Sequence, residues 1–254
     1  MMGKGERTTA TRSAREKIKE QQAAARARDR RKRAITYTAA GVTAVAAVGA
    51  GIWYGAGKYQ SEEATAGLAP ITVQPDGTVV MAQSGVEKPV LDVYEDFQCP
   101  ACKEAERVSG QTIRNLAAEG KAKVVYHAIT IFSQEPTRSN SLRAGNAARC
   151  VADGKQWMAF HDLLFENQPP ENKEGFTNGQ LIEWGKEAGV SAPGFEQCVN
   201  SGKNVQAQQS YSQKIMDEQK LTHTPTLKLN GKEVDNAVVF SPSELRDAVT
   251  KAAK

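Results

Sequence analysis

The stretch FQCPAC, residues 97–102, decides how this 254-residue chain folds, because it holds two of only four cysteines. It follows an apolar run of strand type, PVLDVY at residues 89–94, and precedes a segment whose apolar positions recur at helical spacing. Residues 123–132, KVVYHAITIF, then form a second strand-like run. The order strand, cysteine pair, helix, strand predicts a βαβ unit with the cysteines at its first strand-to-helix junction.

That position gives the cysteine pair a chemical meaning. The first amide N–H groups of a helix lack intrahelical partners, and the helix dipole stabilises an anion there. Cys99 lies at this point, Pro100 suits the first helical position, and Cys102 follows after about one turn. We therefore predict that Cys99 is the nucleophile, that Cys102 is the resolving thiol, and that Pro100 and Ala101 support the site as its spacer.

Two other interpretations of the pair are a zinc site and a structural disulfide. A structural zinc site needs four ligands, and the sequence has no second CxxC and only three scattered histidines. These histidines, His127, His161 and His223, are interpreted as packing or surface residues rather than ligands. We predict no metal site and no nucleic-acid partner.

A second motif, LTHTPTLKLNGKEV at residues 221–234, bears on the choice between a redox pair, a zinc site and a structural disulfide. It contains a strand-like run that ends in Asn-Gly, a strong signal for a hairpin turn. Pro225 stands at the start of this strand after Thr224, where a cis peptide bond is possible and an ordinary trans bond is the alternative.

Together the two motifs resemble the DsbA-like thiol–disulfide oxidoreductases of the bacterial envelope, within the thioredoxin superfamily. The resemblance spans roughly residues 89–253 and includes SLRAGNAARCVADGKQWMAFHDLLFENQ and GFEQCVNSGKN between the motifs. It implies an α/β thioredoxin fold with an inserted helical subdomain, and a redox-active disulfide without any cofactor. It also implies that Thr224 and Pro225 bind the substrate peptide.

The chain departs from the family pattern beside the cysteines. Many members carry a buried acid six residues before the first cysteine as a proton relay, but Val93 occupies that position here. Glu95 is the candidate to replace it and, with Phe97, is assigned to the support of the active site. Thr224 stands where the best-known oxidases have valine, so the direction of the reaction stays open.

Helical patterns fill the predicted insertion, about residues 136–221. They cover residues 142–152, 157–165, 180–188, 195–199 and 205–221. Cys150 and Cys198 both lie in this region. We interpret them as a structural disulfide; the alternatives are a pair of buried free thiols and a second catalytic couple.

The N-terminal part has a different composition. Residues 1–33 hold 12 basic and four acidic residues, whereas the rest of the chain holds 21 and 25. Residues 34–57 carry no charge, a length that can cross a bilayer, and we predict a transmembrane anchor there with its basic flank in the cytoplasm. A cleaved signal peptide is the alternative. We further predict a linker over residues 58–69 and an extracytoplasmic domain over residues 70–254.

These features predict a single-pass membrane protein whose outer domain introduces disulfides into unfolded or reduced secreted proteins. A membrane quinone reductase of the DsbB or vitamin K epoxide reductase type would reoxidise the cysteine pair. The alternatives are a disulfide isomerase or reductase and, from a different class, a redox-inactive peptide-binding module of the envelope.

Overall fold

The structure is a computed structural model, and it describes residues 67–254. The predicted basic tail and transmembrane anchor, and most of the linker, lie outside these residues. Within residues 67–254, no helix combines the length and the apolar character that a membrane span requires.

In the described region, six strands form one mixed sheet in the order β1-β2-β4-β3-β5-β6. The strands are β1 (Ile71–Val73), β2 (Val79–Met81), β3 (Val90–Glu95), β4 (Lys123–Ala128), β5 (Thr226–Leu229) and β6 (Lys232–Glu233). β3 and β4 run parallel, whereas the other neighbouring strands are antiparallel. The parallel strands β3 and β4 belong to the predicted βαβ unit, and β1 and β2 form an N-terminal hairpin.

The helices divide into those that follow the cysteines and those of the insertion. The first group is α1 (Pro100–Ala105), a π-helical turn (Glu106–Gly110) and α2 (Gln111–Ala118), and the C-terminal helices are α8 (Asn236–Val239) and α9 (Pro242–Ala252). The insertion holds α3 (Thr137–Ala148), α4 (Gly154–Glu166), α5 (Asn178–Glu187), α6 (Phe195–Ser201) and α7 (Val205–Gln219). This α/β thioredoxin-like architecture is the predicted fold.

Strand register brings the two sequence motifs to one edge of the sheet. Tyr94 in β3 lies opposite Thr226 in the antiparallel strand β5. The chain leaves β3 shortly before Cys99 and enters β5 directly after Thr224 and Pro225. Because the end of one antiparallel strand lies beside the start of the other, the cysteines and the proline loop must meet.

Two of the predicted boundaries are wrong, and each error has a local cause. The strand predicted over residues 123–132 ends at Ala128, because its parallel partner β3 ends at Glu95 in the same register. The helix predicted over residues 142–152 is α3, which begins at Thr137 and ends at Ala148. Its first turns are polar, and a search for apolar spacing passes over them although Asn140 is fully buried there.

Candidate active site

Cys99 lies at the N-cap of α1 with extended backbone, and Pro100 occupies the first turn. The Cys99 carbonyl oxygen accepts hydrogen bonds from the backbone N–H groups of Cys102 and Lys103, at 3.1 and 3.2 Å. Both Cys99 and Cys102 are free thiols in the structure and both are buried, while Pro100 and Ala101 are exposed beside them. The local sequence therefore places the Cys99 sulfur at the start of a helix, as predicted from the spacing.

The two thiols differ strongly in acidity. Hydrogen bonds lower the pKa of Cys99 to about 6, and they outweigh the opposing effect of burial. Their partners are the Cys102 thiol, the Thr224 side chain and the first-turn amides. Burial, the hydrogen bond to Cys99 and the negative charges of Cys99 and Glu95 raise the pKa of Cys102 well above its ordinary value. Near neutral pH the pair is thus a Cys99 thiolate beside a Cys102 thiol, which is the arrangement of a nucleophile and its resolving partner.

The proline loop faces this pair directly. The Thr224–Pro225 peptide bond is cis, and the Cys99 thiol donates a hydrogen bond to the Thr224 carbonyl oxygen over 3.3 Å. Both Thr224 and Pro225 are buried. Of the residues just before them, Thr222 is exposed and His223 is partly exposed. The structure brings together the two segments that the sequence analysis singled out, 125 residues apart.

Asp96 organises the loop between β3 and Cys99. Its carboxylate oxygens accept hydrogen bonds from the backbone N–H groups of Gln98 and Ile131, each over 2.9 Å, and its own carbonyl accepts from the Cys99 N–H. Burial outweighs these hydrogen bonds and raises the pKa of Asp96 to about 7. Asp96 therefore fixes the cysteine loop to the segment that follows β4.

The insertion holds the same loop from the other side. Gln168 donates its side-chain N–H groups to the carbonyl oxygens of Phe97 and Cys99, at 2.8 and 3.0 Å. Gln98 in turn donates to the Pro169 carbonyl over 2.6 Å, and Lys103 donates to the Glu166 carbonyl over 3.0 Å. The end of α4 and the segment after it are thus bonded to the cysteine loop and α1 by four side-chain hydrogen bonds.

Glu95 is buried at the end of β3 and forms an ion pair with His161 of the insertion. Its carboxylate oxygen lies 2.9 Å from His161 Nε2. Burial disfavours a charged imidazole, but Glu95, Asp162 and Glu106 together more than offset this and raise the pKa of His161 to about 10. Phe97, also buried, packs against His161 and Phe165.

One group of side chains in the described region could hold a metal ion. Glu95, Glu106 and His161 place possible ligand atoms within 4.8 Å of one another. In the structure these atoms are engaged by one another and by Arg114, whose guanidinium lies 3.2 Å from the Glu106 carboxylate. The arrangement is that of a network of ion pairs around Glu95 at the end of β3.

Cys150 and Cys198 form a disulfide with a Cα–Cα distance of 6.0 Å. It joins the turn that follows α3 to α6, and the side-chain N–H group of Asn204 contacts both sulfurs at 3.3–3.4 Å. This bond crosslinks the insertion, in line with the interpretation as a structural disulfide.

Three residues of the site were not found from the sequence. His161 and Gln168 reach the cysteine loop only through the fold of the insertion, and no local pattern marks either one. Asp96 did have a signal, since an acid between a strand and a CxxC motif is placed to bond the loop that follows.

Comparisons with known proteins agree with this geometry. A family model described as thioredoxin matches residues 87–251. The reduced form of the disulfide bond oxidoreductase DsbG from Mycobacterium tuberculosis is 32% identical with a TM-score of 0.58, and the match covers 67% of this chain and 82% of that one. Oxidised DsbA from the same organism is 31% identical with a TM-score of 0.58, over 73% and 92% of the two chains.

A further similarity concerns only part of a larger protein. The serine/threonine-protein kinase PknE of Mycobacterium tuberculosis is 28% identical over 133 residues, which are 50% of this chain. The chain spans 23% of the length of that kinase.

Proposed function

The chain belongs to the thioredoxin family and, within it, to the thiol–disulfide oxidoreductases of DsbA type, and on this basis we propose that it introduces disulfide bonds into other proteins through Cys99 and Cys102. Proteins of this type use a redox-active disulfide and need no further cofactor. The observation that carries the proposal is the Cys99 sulfur, whose pKa is lowered to about 6 and which lies 3.3 Å from the Thr224 carbonyl oxygen.

The reaction begins with the oxidised protein, in which Cys99 and Cys102 share a disulfide. A substrate thiolate attacks the Cys99 sulfur, forms a mixed disulfide and releases Cys102, which takes up a proton. A second substrate thiolate then attacks the substrate sulfur of the mixed disulfide and releases Cys99 as a thiolate. The substrate gains a disulfide, and its two electrons remain on the reduced cysteine pair.

Substrate peptides bind along the loop of Thr224 and Pro225 in this proposal. The Thr224 carbonyl oxygen faces Cys99 and can accept a hydrogen bond from an extended peptide once the thiol proton is gone. Hydrogen bonds to the peptide backbone do not depend on the side chains of the substrate, which suits an enzyme that acts on many unfolded chains.

The acidity of Cys99 supports the oxidising direction. A reduced form that is stabilised as a thiolate favours the transfer of the disulfide to the substrate, which is why strong oxidants of this chemistry have acidic nucleophilic cysteines. The amides of α1 and the Cys102 thiol supply that stabilisation here. We therefore favour an oxidase over an isomerase or a reductase.

The same proposal assigns the protein to the cell membrane. Residues 34–57 would anchor it, the basic residues 1–33 would remain in the cytoplasm, and the catalytic domain would face the outside. Its substrates would be reduced secreted proteins. A membrane quinone reductase of the DsbB or vitamin K epoxide reductase type would accept the electrons and restore the Cys99–Cys102 disulfide.

Two serine variants test the catalytic assignment. Cys99→Ser should lose the oxidation of a reduced, unfolded test protein down to the uncatalysed background, because no nucleophilic sulfur remains. Cys102→Ser, mixed with the oxidised form of the test protein, should instead accumulate a mixed disulfide, because its Cys99 thiolate attacks a disulfide of the test protein, releases one test-protein thiol and leaves an adduct that no Cys102 thiol can resolve. Oxidation at the unaltered rate by Cys99→Ser would disprove the proposal. The adducts are read by mass spectrometry of the non-reduced protein.

A further inference from the structure

Lys228 is a buried lysine in β5, a strand that pairs with a neighbour on each side. It stands between Leu227 and Leu229, and only 8% of its surface is exposed. Lysine side chains are rarely buried to this degree unless their nitrogen is paired. The position of Lys228 therefore indicates a specific partner for its nitrogen.

The Lys228 side chain bonds the C-terminal end of α7. Its Nζ donates a hydrogen bond to the Gln219 carbonyl oxygen over 2.7 Å and lies 3.2 Å from the side-chain oxygen Oε1 of the same residue. Gln219 is the last residue of α7, where the carbonyl groups lack intrahelical partners. The Lys228 nitrogen also lies 5.9 Å from the centroid of the Tyr94 ring in β3. The lysine thus supplies a donor to a helix end that needs one.

The middle of α7 is fixed to the segment that follows β4. Ser212 Oγ accepts a hydrogen bond from the Thr130 N–H over 2.9 Å. The next N–H group of that segment, at Ile131, donates to the Asp96 carboxylate in the cysteine loop, also over 2.9 Å. Two consecutive backbone N–H groups therefore hold α7 and the cysteine loop to the same short segment.

The hydrogen bond between Gln219 and Lys228 closes the loop of residues 220–225. Gln219 precedes this loop, and Lys228 lies in the strand that follows it. The loop contains the Thr224 carbonyl oxygen, which lies 3.3 Å from the Cys99 sulfur. The position of this carbonyl group relative to Cys99 therefore depends on where Lys228 holds the end of α7.

We propose that Lys228 is a positioning residue for substrate binding, because it fixes the end of α7 and holds the loop of Thr224 and Pro225 ready for an extended peptide. The proposal deepens the proposed function and rests on substrate peptides binding along this loop. A loop that is already held in its bound conformation loses less conformational freedom when the substrate arrives. Lys228 therefore contributes to substrate binding without touching the substrate.

A peptide and a small dithiol respond differently to the loss of this hydrogen bond. A peptide with two reduced cysteines can pair its backbone with the loop, whereas dithiothreitol has no peptide backbone. In both reactions two substrate thiols are oxidised to a disulfide, and the Cys99–Cys102 disulfide takes up the two electrons and is reduced. A change in the folded fraction or in the reactivity of Cys99 affects both reactions alike. The ratio of the two rate constants therefore measures the contribution of the loop.

Lys228→Met tests this in the full chain in detergent, with Lys232→Met as the matched control. Methionine is a flexible side chain without an N–H donor, and Lys232 is an exposed lysine of the neighbouring strand β6. The oxidised protein is mixed with either substrate, and its reduction is followed by acid quenching, alkylation and mass spectrometry. The peptide-to-dithiothreitol ratio of rate constants should fall about tenfold in Lys228→Met, the size expected for one lost hydrogen bond. It should stay unaltered in Lys232→Met.

An unchanged ratio in folded Lys228→Met would overturn the proposal, even if the variant were less stable. An equal fall in Lys232→Met would also overturn it. A purely structural role of Lys228 would slow both reactions in the same proportion and leave the ratio as it is. The proposed function fails separately, since the Cys99→Ser assay reports on it with Lys228 unaltered.

Nitrogen NMR of the unaltered protein covers the case in which Lys228→Met does not fold. With ¹⁵N-labelled lysine and no substrate present, the side-chain protons of Lys228 should exchange with water much more slowly than those of Lys232. Exchange as fast as at Lys232 would mean that the end of α7 is not held before the substrate binds, and it would contradict the proposal.

Discussion

The two cysteine pairs of this domain differ in their chemical state. Cys99 and Cys102 are three residues apart at the start of a helix and are free thiols in the structure, whereas Cys150 and Cys198 are 48 residues apart and form a disulfide. In the first pair, hydrogen bonds and helix amides stabilise a thiolate on one sulfur only. In the second pair, the sulfurs connect two helices of the insertion.

This contrast shows that backbone context decides what a cysteine pair does. A helix N-terminus and the hydrogen bond from the Cys102 thiol give Cys99 an acidity that the crosslinked pair has no means to acquire. The Cys150–Cys198 bond instead closes a long loop, which stabilises the fold by restricting the unfolded chain.

The largest effect on stability should come from removing the crosslink. We expect the double variant Cys150→Ser, Cys198→Ser to lose about 4 kcal/mol of unfolding free energy, as the chain-entropy model gives for a loop of this length. Its activity per folded molecule should be retained, because neither sulfur takes part in the exchange. Denaturant unfolding and an oxidation assay on the same samples measure the two quantities.

Loss of activity in a double variant that remained folded would contradict a purely structural role of the Cys150–Cys198 disulfide. Such a result would assign the second pair to the electron transfer. Circular dichroism of the assayed sample is the check that the domain is folded.

A smaller effect is expected from the contact between the insertion and the cysteine loop. Gln168→Ala removes two hydrogen bonds, to the carbonyl oxygens of Phe97 and Cys99, and should cost about 1–3 kcal/mol. Gln206→Ala on α7 is the control, since that exposed glutamine bonds only Ser210 among the described contacts. If the two alanine variants were equally stable, the insertion would not hold the cysteine loop as described.

Much of this fold could be predicted from local sequence. The strand, cysteine pair, helix, strand order follows from apolar periodicity, and the Asn-Gly turn marks the hairpin of β5 and β6. The two motifs then specify an edge of the sheet where Cys99 and Thr224 meet. All of these signals lie within a few residues of the structure that they predict.

The charged groups beneath the site could not be predicted in this way. His161 reaches Glu95 from a helix 66 residues further along the chain, and its role depends on where α4 packs. The sequence shows that the acid of the family is replaced by Val93, but not which cation accompanies Glu95. Packing of the insertion determines that, and no periodic pattern encodes it.

The acidity of Cys99 also makes the stability of the reduced protein depend on pH. Its folded pKa of about 6 lies below the ordinary value of 9.0. The sign is that of a depressed pKa, so the stabilising contribution is fully present above pH 9 and is lost as the pH falls through 6.

Titration of the Cys99 thiolate tests the central claim most directly. The ultraviolet absorbance of the reduced protein should show one thiolate with a midpoint near pH 6, and this transition should be missing from Cys99→Ser. The double variant of Cys150 and Cys198 should keep it. A midpoint near the ordinary thiol value of 9.0, or a transition that survives in Cys99→Ser, would contradict the assignment of Cys99 as the activated nucleophile.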